Sequence, residues 1–165
     1  MRTSMEMCVW LDEMEAYYSE VINMNSGQEM LTSLLHTVQM GQSGIRVVQP
    51  KAVRTDLKQE LSEQLKEYDA IEKEALCLAE ARGWELSNIN PMITQMSRMM
   101  ARIQLMMGDT DSKIAGMLIQ GNTRGIILGV KNLNRDNQTD EQITQLAQRL
   151  LNRENINIQK SQSFL

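Results

Sequence analysis

The sequence is poor in proline, aromatics, histidine and cysteine, and each shortage excludes something. Two prolines and six aromatics in 165 residues argue against a sheet, because strands recruit β-branched and aromatic residues. A single histidine, His36, rules out any site that needs two imidazoles, and a lone ring lacks the second ligand or base that catalysis requires. It is expected at the surface or half-buried. Cys8 and Cys77 form no C-x-x-C pair, and two lone thiols without a secretory segment point to a reducing compartment. A cytoplasmic location is the expectation, and Cys77, between Leu76 and Leu78, is given no redox role.

Long apolar runs are missing too. Glu6, Asp12, Glu13 and Glu15 interrupt the stretch that Met5–Leu11 begins, which is unlike a signal peptide. Lys113, Gln120, Asn122, Arg124 and Lys131 break the glycine-containing run near 114–130 well short of the ~20 apolar residues a bilayer needs. No membrane span is expected. Net charge is −4, with one Arg against six acids in residues 1–30, a balance of −5 that leaves +1 for the rest. Without a Lys/Arg cluster or a basic stripe carrying aromatics, nucleic-acid binding lacks its electrostatic driving force.

What is present is helix-forming: 42% hydrophobic residues, dominated by Leu, Ile and Met, in a chain of one-domain size. Met7, Trp10, Met14, Tyr17 and Val21 predict an acidic amphipathic helix at the N-terminus, set off by a linker, so that 1–26 precede a domain at 27–165. A first long helix is expected over about 28–48, with Leu31, Leu34, Leu35, Val38, Ile45 and Val48 inward, and Gly41 and Gly44 opening a close-contact face. Pro50 closes it. A second runs from about Ala52 to Arg82 on Leu57, Leu61, Leu65, Tyr68, Ile71, Ala75 and Leu78, with Asp69 and Lys73 paired outside and Gly83 as its stop. So short a connection makes an antiparallel hairpin.

Pro91 opens a shorter helix with a methionine stripe, Met92, Met96, Met99 and Met106. Met side chains both fill core gaps and build adaptable binding surfaces, so the stripe either closes the bundle or meets a partner helix or lipid. Asp109 or Asp111 is expected to cap a third long helix, 112–134. A polar loop then leads to a fourth, capped by Thr139 and Gln142 at capping-box spacing and buried through Ile143, Leu146, Ala147 and Leu150. Two hairpins joined by a long crossover predict an all-α, ferritin-like four-helix bundle; an up-down array of five or six helices is the alternative.

That topology raises the di-iron question. Such a site needs a Glu from each of two helices and Glu-x-x-His from each of the other two, all pointing inward. Here the corresponding positions are Gln39, Glu67 with Ala70, Gln120, and Glu154 with Asn157, so both imidazoles and two of four carboxylates are missing. No metal or cofactor is expected. Gln39, Glu67, Tyr68, Gln120, Glu154 and Asn157 are read as a hydrogen-bonded polar layer that fixes register, with a surviving ligand site or plain solvent exposure as alternatives. GMLIQGNT, 116–123, lacks the lysine and preceding strand of a phosphate loop. Asp109, Asp111 and Lys113 miss the calcium-loop pattern.

Gly121, Gly125 and Gly129 stand four apart, and each costs ~1 kcal/mol relative to alanine inside a helix. A close helix contact along all three is the expected return. MGQSGI at 40–45, EYDAI at 67–71 and above all SKIAGMLIQGNTRGII at 112–127 resemble a group of uncharacterised bacterial proteins with a ferritin-like four-helix-bundle fold. The resemblance covers about 28–165, with IQGNT at 119–123 its most specific part. In that group the position of Gln39 is often Glu, so this chain departs toward weaker metal binding. The N-terminal helix has no counterpart there. The resemblance implies a fold and no activity. The expected function is therefore non-enzymatic, through structure, assembly or a protein partner, including a homo-oligomer; the alternative is a ferritin-like metal-binding protein or enzyme using Glu67 and Glu154.

Overall fold

The computed structural model describes residues 27–86, 110–135 and 140–165. These form four α-helices: α1 Gly27–Val48, α2 Thr55–Ala81, α3 Thr110–Arg135 and α4 Glu141–Gln162, with a 3-10 turn at Gln49–Lys51. The helix expected in 1–26 and the one bearing Met92, Met96, Met99 and Met106 lie outside the described residues. No described helix is long and apolar enough to cross a membrane.

Each helix forms around an apolar stripe at three- and four-residue spacing. In α1 it is Leu31, Leu34, Leu35, Val38, Ile45 and Val48; in α2 Leu57, Leu61, Tyr68, Ile71 and Ala75; in α4 Ile143, Leu146, Leu150 and Leu151. Pro50, inside the 3-10 turn, lacks the N–H a continuing helix would need. At the far end of α2, Gly83 takes φ +66°, and Trp84 N donates to Ala79 O at 2.9 Å and Gly83 N to Glu80 O at 3.0 Å. This left-handed turn satisfies the last carbonyls.

Two caps differ from expectation. Asp111 lies in the first turn of α3, but its carboxylate accepts from the amides of Val53 and Arg54 at 2.7 and 2.8 Å. It therefore serves the start of α2, where Arg54 at the N-cap offers no side-chain acceptor. The N-cap of α4 is Asp140, which accepts from Gln142 N at 2.9 Å, while Arg82 bonds both the Asp140 carboxylate and Gln142 Oε1. Gln142 therefore serves the tie to α2; Thr139 lies outside the described residues. Asp69 also departs, pairing with Arg46 at 3.6 Å and accepting from Gln42 rather than meeting Lys73.

Side-chain contacts fix the helix directions. Gln28 Nε2 donates to Glu85 O at 3.0 Å and Gln49 Nε2 to Ser62 Oγ at 2.7 Å, so α1 and α2 are antiparallel. Lys160 meets Glu60 at 2.9 Å and Arg149 meets Glu74 at 2.6 Å, which makes α2 and α4 antiparallel. Asn132 Nδ2 donates to Ser33 Oγ at 2.8 Å and Asp111 reaches Val53, so α3 runs antiparallel to α1. Helices α3 and α4 also pack antiparallel, with Gly125 against Glu154 and Gly129 against Leu151. The cyclic order is thus α1, α2, α4, α3, and α2 and α3 lie diagonally and point the same way. One apolar core, from Leu31 and Leu35 through Leu61 and Ile71 to Ile114 and Ile143, fills the centre.

Candidate functional site

Near the middle of α4 the apolar stripe gives way to Glu154, Asn157 and Ser161, at spacings of three and four, all buried. The spacing keeps them on the face that Leu150 and Leu151 begin. From α2, Tyr68 comes to the same seam, and from α3, Asn122 and Gly125.

Tyr68, Asn122 and Asn157 form a closed node. The Tyr68 hydroxyl donates to Asn122 Oδ1 at 3.0 Å, Asn157 Nδ2 donates to the same oxygen at 3.2 Å and to the Tyr68 hydroxyl at 3.4 Å. Asn122 Nδ2 turns back to Leu118 O at 2.7 Å. Three helices are tied by side chains 0–6% exposed. Each such bond contributes a net ~1 kcal/mol, whereas a buried group left unpaired costs about 1–3 kcal/mol. Room for the Tyr68 ring comes from α1, where a Cβ added at Gly41 would stand 2.6 Å from its Cε2.

One turn along α4, the Glu154 carboxyl is 2% exposed and lies against the backbone of α3. A Cβ at Gly125 would fall 2.0 Å from Oε1 and 2.7 Å from Oε2, so any side chain there would force the buried carboxyl to shift. Oε2 has no hydrogen-bond partner. Burial pushes this carboxyl well above its ordinary value of 4.5, with desolvation as the cause. Burial thus favours the neutral acid, which can donate one O–H, over the carboxylate. Gln64 Oε1, Asn157 Oδ1 and Ser161 Oγ are also buried without a partner.

The expected polar layer thus divides. Tyr68, Glu154 and Asn157 come to the core; Gln39 and Glu67 do not. Gln39 Nε2 donates to Glu72 Oε1 at 2.8 Å, and Gln42 bridges Glu72 and Asp69 at 2.7 and 2.8 Å, on the α1–α2 flank. Glu67 pairs with Arg153 at 2.9 Å, its side chain 41% exposed. Being one residue before Tyr68, it is turned ~100° away from the core. Gln120 is partly buried and its Oε1 has no partner. It lies five residues before Gly125, about 140° around the helix, and Asn122 takes the inward place. Asn122 was legible: it stands four after Leu118 and three before Gly125.

The glycines divide as well. Gly125 and Gly129 lie against Glu154 and Leu151, but a Cβ at Gly121 would meet nothing within 4 Å among the described residues. A four-residue step advances 400°, so three such positions rotate across ~80° of the helix surface, and Gly121 rolls off the seam that the other two share. His36 is buried at 3% exposure, contrary to expectation, and Cys77 is exposed.

The site can hold one proton and a closed hydrogen-bond node. It brings together no nucleophile with a base, and among the described residues no group of three or more His, Cys, Asp or Glu is placed to hold a metal ion. Comparison with protein-family models, curated proteins and solved structures found no match to the chain.

Proposed function

We propose that this chain is a non-enzymatic, ferritin-like four-helix bundle that acts through protein–protein contact, with self-assembly as its specific form. One observation carries the reading. Thr123, Ile127 and Val130 follow at spacings of four and three along the side of α3 away from the core, all exposed, with Ile127 and Val130 at 50% and 42%. That spacing keeps one stripe facing a second helix. The ferritin-like assignment rests on the helix directions, with α2 and α3 parallel and diagonal, and on the resemblance at 112–127.

Light scattering of the full chain tests it. An oligomer that Ile127→Asp with Val130→Asp converts to a folded monomer is the expected result. A single-chain mass for the parent protein at high micromolar concentration would overturn it.

The second reading, a degenerate metal site on Glu67 and Glu154, has the unpartnered Glu154 Oε2 in its favour and the engagement of Glu67 with Arg153 against it. Elemental analysis after purification without chelators discriminates: stoichiometric iron or manganese that is lost in Glu154→Ala would establish it.

A further inference from the structure

Glu154 carries more than packing requires. A leucine or methionine at 154 would fill the same space without a desolvated carboxyl, and replacing a buried polar group by an apolar one of similar shape is often neutral or stabilising. Instead the sequence keeps an acid here and gives up a side chain at Gly125 to seat it, its oxygens pressed on the α3 backbone. We infer that Glu154 is a proton-gated latch between α3 and α4: seated as the neutral acid it lets the two helices close at Gly125, and on losing its proton it must leave the seat, opening that seam.

The surroundings support the gate. An unpaired carboxylate in an apolar seat costs far more than the neutral acid does, so ionisation and closure compete. Among the described residues no charge is placed to relieve the conflict. On α4 the adjacent Arg153 is turned to Glu67 of α2 at 2.9 Å. Tyr68 of α2 directs its hydroxyl to Asn122. Arg124, beside Gly125 on α3, and His36, buried on α1, each have a partner, and neither contributes to the shift of Glu154. The desolvation of Glu154 has no opposing charge to offset it. Asn157 Oδ1, three residues on along α4, is likewise buried without a donor. Opening the seam would release this node along with the carboxyl.

The test is hydrogen exchange of the α3 amides around 121–129 in the full chain from pH 5 to 9, expressed as protection relative to the unstructured rate. Between the ordinary and the raised titration range of a carboxyl, an opening that frees it to ionise becomes ~10-fold more frequent per pH unit. Protection in α3 should fall at that rate while amides in the middle of α2 lose less, and Glu154→Gln should flatten the dependence. A flat parent profile, or the same slope in Glu154→Gln, would overturn the latch. Should that variant not fold, carbon NMR of the Glu154 carboxyl in the parent chain decides the matter: a neutral signal at pH 7 is expected, and an ionised one would end the proposal.

Discussion

At the scale of single residues, glycine has two different meanings on the same helix. Gly125 has no side chain because the Glu154 carboxyl occupies the position a Cβ would take, at 2.0 Å. Gly121 has no such neighbour within the described residues and carries only the helix-propensity penalty. Gly125→Ala should therefore lose about 1–3 kcal/mol through overpacking, and Gly121→Ala should gain ~1 kcal/mol, both read from urea denaturation midpoints. Equal effects would mean that the seam does not discriminate between them. Gly129 falls between, because a Cβ there would meet Leu151 Cδ2 at 2.6 Å, a smaller overlap than at Gly125.

At the scale of elements, the two hairpins are joined by side chains acting at helix ends. Asp111 of α3 holds the amides that open α2, and Arg82 at the end of α2 holds the cap of α4. Charge-assisted bonds to amides are the stronger kind. Asp111→Ala should cost about 1–3 kcal/mol and speed amide exchange at Val53 and Arg54, with Asp111→Asn losing less because one acceptor oxygen remains. If exchange at those two amides is unchanged, the tie does not hold α2. The ion pairs along α2 and α4, such as Glu74 with Arg149, are half-exposed on both partners and contribute at most ~1 kcal/mol each.

At the scale of the whole molecule, titrating groups pull stability in opposite directions. Asp56, Glu63 and Asp140 are held below their ordinary values, chiefly by hydrogen bonds from Arg54, Lys160 and Arg82. Their contribution is present above 3.8–4.5 and is lost as pH falls through their lowered values. Glu154 is raised, so the folded chain holds a proton that the unfolded chain releases, and stability declines as pH rises above 4.5. Lys160, raised chiefly by its hydrogen bond to Glu60, adds a further loss above 10.5. Stability should therefore peak on the acid side of neutrality, and thermal melts from pH 3 to 10 will show it; a maximum above pH 7 would contradict the placement of Glu154. Periodicity alone determined the four helices, their inward stripes and the Gly83 stop, because a helix repeats at 3.6 residues and an amphipathic stripe has only one face to bury. Tertiary structure decided which polar residues share the core. One residue turns a side chain by ~100°, so Tyr68 enters while Glu67 meets Arg153, and Asn122 enters while Gln120 does not. It also decided which glycines matter, since that depends on where α4 crosses α3, a relation between helices that no single helix's spacing contains.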